Sequence, residues 1–218
     1  MKQLITWKEI GNLITSVLVL GFLFSLNDLN NFIPFTLIVG LAFTVHELTH
    51  KFVAERYGCK AEYVLWPQGI LFSILLAVLT RGSLIFAAIG YVSISTYYAT
   101  RLGFKFTYLT MEESGKISAA GPVSNIVMGI ISGLIAPYAP IMYYSASLNF
   151  MLAIFNLMPF PPLDGSKVFV WSRMTWIALI ITAGVTWALT FLINPIIAGI
   201  IGVIVMITVL FYTFFKGL

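Results

Sequence analysis

The chain has 218 residues, of which 60% are hydrophobic and 9% are charged. This composition lies outside the range of ordinary water-soluble domains and predicts an integral membrane protein. The net charge is +4, but the twelve basic residues are scattered at segment ends, which argues against a nucleic-acid partner. No linker, repeat or low-complexity tract divides the sequence, so we expect a single domain over 1–218.

Six apolar segments are candidates for membrane-spanning helices. They cover residues 12–27, 32–54, 118–136, 141–159, 175–193 and 195–215. The charged start of the chain resembles a signal peptide, but no small-x-small cleavage site follows, so we interpret the first segment as an uncleaved span. With cytoplasmic N- and C-termini, eleven of the twelve basic residues fall on the cytoplasmic side. We therefore expect an all-α polytopic protein of the cell membrane.

The region between the second and third spans has a different pattern. Arg81 interrupts the apolar region 69–100, and the piece before it is too short to cross a bilayer of about 30 Å. Alternating and β-branched residues in the extra segment 60–116 predict a small β element at the cytoplasmic face or a re-entrant segment. Two additional short spans, giving eight in all, are the alternative.

The chain's only two histidines, His46 and His50, lie four residues apart in "HELTH", behind an apolar run. In a helix this spacing places both imidazoles on one face, where they can bind one metal ion, with Glu47 beside them. Zinc suits two neutral imidazoles, and a neighbouring carboxylate can take a proton from an attacking water. The pattern indicates metal-assisted peptide hydrolysis. The alternative is a polar helix end whose histidines bond backbone or water.

A zinc ion held by two histidines needs a third protein ligand, for which Asp164 is the preferred candidate. Asp164 lies in "FNLMPFPPLDGSKVF", at the inner end of the fourth predicted span and at the membrane depth of "HELTH". Pro159, Pro161 and Pro162 predict unwound backbone, which is tolerated at membrane depth when it is buried in protein or lines a wet cavity. An ordinary turn is the alternative, because P-x-D-G is also turn chemistry.

The combination of "HELTH", "AAGPVSN" and "NLMPFPPLDG" resembles the site-2 protease family of intramembrane zinc metalloproteases over about residues 32–166. The resemblance implies a three-helix catalytic core with one zinc ion per chain. It implies His46, His50 and Asp164 as ligands, Glu47 as general base, and Asn156 as a residue that binds the substrate backbone or helps stabilise the oxyanion. For Asn156, a structural bond to the freed backbone is the alternative. The long segment between the first two motifs departs from many relatives.

We expect the substrate to be a membrane-anchored protein whose transmembrane segment enters laterally from the lipid bilayer. It would unwind locally and lie extended against a strand of the region 83–110. One alternative is a membrane zinc metalloprotease of another architecture, with a glutamate as third ligand and soluble or lipidated peptides as substrates. A second is a non-catalytic membrane metal-binding protein. Replacing Asp164 by Ala would leave metal binding intact under the first alternative, and removing Glu47 would leave the function intact under the second. The sequence does not indicate an oligomeric state.

Overall fold

The computed structural model describes residues 5–100 and 103–215, which are mostly helical. The chain divides into two compact units, Met1–Leu109 and Thr110–Leu218, which we describe in turn. The expectation of one protease domain over 1–218 concerns the activity of the whole chain and stays a prediction.

The first unit combines helices with short strands. In chain order its elements are α1 (Trp7–Phe24), a 3-10 turn (Leu29–Asn31), α2 (Phe32–Arg56), β1 (Lys60–Leu65), α3 (Pro67–Leu79), β2 (Gly90–Ser95), β3 (Tyr97–Thr100) and β4 (Gly103–Phe106). Helix α2 ends before Gly58, whose φ of 80° turns the chain towards β1 at little steric cost.

Helix α1 begins at a capping box. The Thr6 hydroxyl accepts a hydrogen bond from the Glu9 amide at 3.2 Å, and the Glu9 carboxylate accepts one from the Thr6 amide at 2.8 Å. Together they satisfy two amides that a helix start otherwise leaves without partners. The apolar segment predicted over 12–27 therefore belongs to a helix that starts earlier, at Trp7.

Helices α1 and α2 approach each other closely at two glycines. A Cβ on Gly21 would overlap the Thr36 side chain, and a Cβ on Gly40 would lie 2.7 Å from a methyl group of Val17. Small residues permit this kind of close helix packing inside a membrane, where van der Waals contact drives association. The contact fixes α2, the helix that carries "HELTH", against α1.

The strands form two separate two-stranded antiparallel sheets, β1 with β2 and β3 with β4. Tyr63 lies opposite Val92 in the first sheet, and Thr100 lies opposite Gly103 in the second. The prediction of a small β element between the second and third spans is confirmed. Its location at the cytoplasmic face stays a prediction.

Helix α3 accounts for the apolar piece before Arg81. Its 13 residues span about 20 Å at 1.5 Å per residue, which is shorter than a bilayer core. The chain leaves α3 through Arg81 and Gly82, both at positive φ, which ends the helix sharply. A re-entrant or interfacial position for this segment stays a prediction.

The second unit is helical throughout its described elements. They are α4 (Met111–Ile135), α5 (Ile141–Asn156), α6 (Asp164–Trp171), α7 (Arg173–Leu192) and α8 (Pro195–Phe215). Its core is formed by fully or nearly fully buried apolar side chains from these helices, including Ile126, Phe150, Leu157, Val168 and Leu179. A second capping box, between Thr110 and Glu113, starts α4 before the apolar segment predicted over 118–136.

Each of the six predicted apolar segments lies mainly in a helix, but six membrane spans are not confirmed. By length and composition, four candidates among the described residues could cross a membrane: Trp7–Phe24, Leu29–Arg56, Met111–Ile135 and Arg173–Leu192. Helix α5 has 16 residues, fewer than the usual transmembrane length of about 20. The membrane association of the chain is supported, and the sidedness of its termini stays a prediction.

Candidate metal centre and active site

His46 and His50 meet on one face of α2, as their spacing predicts. Their Nε2 atoms are 3.1 Å apart and the two rings lie edge to face, with centroids separated by 4.7 Å. Two imidazole nitrogens at about 2.05 Å from a tetrahedral zinc ion would be about 3.3 Å apart. The side chains are therefore already spaced as a zinc ion requires. Both residues are buried, at 4% and 6% exposure, which shields the pair from bulk water.

Glu47 lies on the same turn of α2 and is also buried, at 7% exposure. Its helical position places it next to the histidine face and one turn before Lys51. The charge of Glu47 also acts on Tyr63 in β1. Burial is the main cause that raises the pKa of Tyr63 above its ordinary value, and the negative charge of Glu47 raises it further. The charge of Glu47 therefore acts on β1, and its role as general base stays a prediction.

Asp164 is the first residue of α6 and follows an irregular stretch. Between Asn156 and Asp164 the chain is not in a regular helix, which confirms the unwound segment predicted from the prolines. Asp164 is half-buried, and Leu163 before it has extended backbone. The Ser166 hydroxyl donates a hydrogen bond to the Leu163 carbonyl at 2.7 Å, which stabilises the backbone around Asp164.

Gly165 and Trp176 contribute to the structure around Asp164, although the sequence assigned neither of them a role. A Cβ on Gly165 would overlap the carbonyl group of Leu157, so the first turn of α6 lies directly on the end of α5. The indole N–H of Trp176, in α7, donates to the same Leu157 carbonyl at 2.6 Å. Gly165 stood in the quoted motif, whereas nothing in the sequence around Trp176 indicates its contact with a residue 19 positions earlier.

Asn156 is the last residue of α5 and is half-buried. Its side-chain amide donates to the Leu152 carbonyl, one turn back in the same helix, at 3.0 Å. This bond is local rather than a bond to the backbone near Pro159. The amide nitrogen carries two N–H groups, and the bond to Leu152 uses one of them. The predicted role in substrate binding stays a prediction.

Several curated proteins are similar in sequence to this chain. A protein of Methanocaldococcus jannaschii, provisionally named a zinc metalloprotease, is 34% identical to the chain over 178 residues, covering 78% of this chain and 87% of the relative. The chain belongs to this zinc metalloprotease family. Membership rests on most of the length of both proteins rather than on one motif.

Two further relatives of the zinc metalloprotease carry the same kind of name over shorter alignments. A zinc metalloprotease of Methanocaldococcus jannaschii is 26% identical over 130 residues, covering 56% of this chain and 29% of the relative. A protein of Clostridium perfringens, provisionally named a zinc metalloprotease, is 39% identical over 66 residues, covering 29% of this chain and 19% of the relative. No family model and no solved structure matches the chain.

The donor set of this zinc metalloprotease suits zinc. The predicted ligands are His46 and His50, in the first unit, and Asp164, in the second. Two imidazole nitrogens and one carboxylate oxygen are a familiar ligand combination for a catalytic zinc ion, which keeps one position open for water or substrate. The residues present therefore fit the metal that the family name implies.

Proposed function

We propose that the chain is an intramembrane zinc endopeptidase of the site-2 protease family. It would hydrolyse a peptide bond in or near the transmembrane segment of a membrane-anchored protein, in the cell membrane. One observation carries the proposal. The His46–His50 pair, with Glu47 on the same turn, is buried in a helical segment, Leu29–Arg56, that is long and apolar enough to cross a membrane.

The proposed roles follow from the chemistry of each side chain. His46, His50 and Asp164 would hold one zinc ion, which supplies a Lewis acid and lowers the pKa of a bound water to about 7. Glu47 would accept the proton that the attacking water loses as its oxygen bonds to the substrate carbonyl carbon. The same carboxyl group would then give a proton to the leaving nitrogen as the C–N bond breaks.

Asn156 would contribute through the N–H that its bond to Leu152 leaves over. A donor at the end of α5, beside the unwound segment that leads to Asp164, can bind the substrate backbone or the oxygen that becomes negative during attack. Replacing Asn156 by Ala should then lower the turnover number with little change in zinc content. Replacing it by Asp, which keeps the shape but removes the donor, should do the same.

In the β1–β2 sheet of the first unit, the β2 edge is open for an extended substrate. On β1, side chains of α1 occupy the backbone of Tyr63: Glu9 accepts its N–H at 3.1 Å, and the Asn12 amide donates to its carbonyl at 3.3 Å. Trp66 donates its backbone N–H to the Ile89 carbonyl. This bond shows that the backbone groups of these two residues point towards the partner strand. The outer edge of β1 is therefore covered by α1.

The open edge belongs to β2. In an antiparallel pair, hydrogen-bonded and non-hydrogen-bonded residue pairs alternate. Because Trp66 and Ile89 form a hydrogen-bonded pair, the backbone N–H and C=O groups of Val92 and Ile94 point away from β1. Among the described residues no hydrogen bond occupies those outward groups. A substrate strand would add there by backbone hydrogen bonds. Val92→Pro, which removes one outward donor, should raise KM while zinc content stays at the native level.

The proposal is tested with purified protein in detergent and two substrates that share one scissile sequence. One substrate carries that sequence in a transmembrane anchor, and the other is a soluble peptide. We expect cleavage of the anchored substrate by the native chain and its loss in Glu47→Gln, which should retain zinc. Helix-strengthening substitutions around the scissile bond should slow cleavage, because the bond must leave its helix first.

Other outcomes point to the other functions. Preferential cleavage of the soluble peptide, with zinc content unaffected by Asp164→Ala, would favour a membrane metalloprotease of another architecture. Zinc binding without cleavage of either substrate would favour a non-catalytic metal-binding protein. Cleavage that is unaffected by helix-strengthening substitutions would contradict local unwinding of the substrate.

A further inference from the structure

A buried ion pair joins the start of α1 to the turn of α2 that follows the histidines. Lys51 Nζ lies 2.5 Å from Glu9 Oε1, and both side chains are 4% exposed. The two residues are 42 positions apart in the sequence, so the contact belongs to the tertiary structure. Glu55, one turn beyond Lys51, adds a longer contact to the same ammonium group at 3.9 Å.

The Glu9 carboxylate accepts hydrogen bonds from three donors, one each at the start of α1, in α2 and in β1. Oε1 accepts from Lys51 Nζ and from the Tyr63 backbone N–H at 3.1 Å, and Oε2 accepts from the Thr6 amide at 2.8 Å. One carboxylate thereby connects the start of α1, the metal-binding helix α2 and strand β1. A charged group with this many buried donors is rigidly held.

Stability alone is a weak reason for such a pair. Removing two charges from water is costly, and well-packed apolar residues of similar volume are often as stabilising as a buried ion pair or more so. Buried ion pairs can instead fix one geometry among several that a purely apolar contact would allow. The location of this pair shows which geometry it fixes.

Lys51 is next to His50 in the sequence and one helical turn after Glu47. An imidazole nitrogen lies about 6 Å from the helix axis, so a rotation of α2 by about 10° would displace that nitrogen by about 1 Å. Catalytic groups need to be held within about 0.5 Å of their working positions. A fixed contact at Lys51 therefore controls a rotation to which His46, Glu47 and His50 are all sensitive.

We propose that Glu9 is a positioning residue for the metal-binding turn of α2 and acts through Lys51. The inference rests on the proposed function, since it assigns the turn from His46 to His50 to zinc binding and catalysis. Glu9 does not touch the reacting atoms. It fixes the rotation of α2 relative to α1 and β1, and so the direction in which the two histidines and Glu47 point.

The test compares Glu9→Gln with the double variant Glu9→Gln, Lys51→Met. Glutamine keeps one carbonyl oxygen, which can accept from the Tyr63 amide or from the Thr6 amide but not from both positions, and methionine fills the volume of the lysine stem without its charge. The single variant leaves a buried ammonium group without its nearest anion and should lower the melting temperature. The double variant leaves no ammonium group buried without an anion, and Glu55 loses only its 3.9 Å contact, so this variant should melt closer to the native chain than the single variant does.

The measurements are the zinc Kd, obtained by competition with a chromophoric chelator, and kcat and KM on the anchored substrate. For a positioning role, the double variant binds zinc about 10- to 100-fold more weakly and loses kcat to a similar extent, with KM unchanged. A native zinc Kd and a native kcat in the double variant would show that the metal-binding turn does not depend on the pair. That result would overturn the proposal.

Glu112→Gln serves as the matched control. Glu112 and Lys116 form an ion pair of the same 2.5 Å length, but their side chains are 60% and 29% exposed. Exposed pairs contribute little, so this variant should keep the native zinc Kd, kcat and melting temperature. If the double variant does not fold, Glu9→Gln decides alone, because a native zinc Kd in that variant contradicts positioning.

Failure of this inference can be told from failure of the proposed function. A native chain that binds zinc but cleaves no membrane-anchored substrate contradicts the proposed function. In that case the zinc Kd values of the Glu9 and Lys51 variants still decide whether Glu9 positions the metal-binding turn.

Discussion

At the scale of single residues, Gly165 holds Asp164 in place by having no side chain. The backbone of Gly165 lies against the Leu157 carbonyl, and that carbonyl is also bound by the Trp176 indole. The aspartate is thus attached to a short segment packed against the end of α5. The atoms nearest to a Cβ at Gly165 are backbone atoms of Leu157 and Met158, which cannot rotate away as a flexible side chain could.

Gly165→Ala should therefore strain the segment that carries Asp164. We expect it to lower the free energy of unfolding by about 1 to 3 kcal/mol, as overpacked sites do, and to weaken zinc binding. Unfolding in mixed micelles of SDS and a mild detergent measures the first effect. Gly184→Ala is the control: nothing lies within 4 Å of a Cβ there, so this helical change should stabilise by about 0.5 to 1 kcal/mol. Equal behaviour of the two variants would contradict the account.

Tyr63 gives a residue-scale prediction for pH. Burial, reinforced by the charge of Glu47, raises the pKa of Tyr63, so the folded chain keeps it neutral at a pH where an unfolded tyrosine ionises. The free energy of unfolding should therefore fall as the pH rises above about 10, and Tyr63→Phe should remove part of that fall. Unfolding curves at several alkaline pH values test this. Identical slopes for the two proteins would contradict it.

The residue-level site was predictable where it depends on local geometry. His46, Glu47 and His50 could be placed together because a spacing of four residues sets one helical face in any helix. Glu9 could not be found in this way. Its capping box with Thr6 is visible in the sequence, but its partner Lys51 lies 42 positions away, and no local rule relates the two.

At the scale of elements, a polar face of α1 binds strand β1. Glu9, Asn12 and Ser16 bind the backbone N–H, the carbonyl and the hydroxyl of Tyr63, respectively. These three positions lie at spacings of three and four along α1, so they share one face of the helix. The face replaces the neighbouring strand that β1 lacks on this side.

The bond between Ser16 and the Tyr63 hydroxyl is the element-scale prediction. The two oxygens are 2.6 Å apart and buried, with a separation of 47 residues. A double-mutant cycle with Ser16→Ala and Tyr63→Phe should give a coupling of about 0.5 to 1.5 kcal/mol in the free energy of unfolding. Additive effects of the two changes would mean that the helix face and the strand are not coupled through this bond.

Elements were predictable where an apolar run is long. The six apolar segments are mainly helical, as their length predicts. The segment of α3 was expected only as a re-entrant or interfacial element, because its apolar run ends at Arg81. The strands around it were indicated by alternation, yet their pairing was not, because the partner strands are separated by α3 and an irregular stretch. Pairing depends on distant contacts, which periodicity alone does not contain.

At the scale of the whole molecule, the distribution of basic residues predicts the topology. Both termini and the segment before α4 should face the cytoplasm, and the turn after α1 should face the other side. Cys59 is the chain's only cysteine, so Cys59→Ala gives a cysteine-free background. In that background, Asp28→Cys should react with a membrane-impermeant maleimide in intact cells. Glu112→Cys should react only after permeabilisation, and the reverse pattern would contradict the topology.

The most direct test of the central claim is the zinc content of the purified native chain, Glu47→Gln and Asp164→Ala, measured by elemental analysis. Asp28→Ala, which removes a carboxylate bonded to Asn30 and Asn31, is the control. We predict about one zinc ion per chain in the native protein, Glu47→Gln and Asp28→Ala, and markedly less in Asp164→Ala. Native zinc content in Asp164→Ala, or its loss in Glu47→Gln, would contradict a centre of two histidines and one aspartate served by a separate general base.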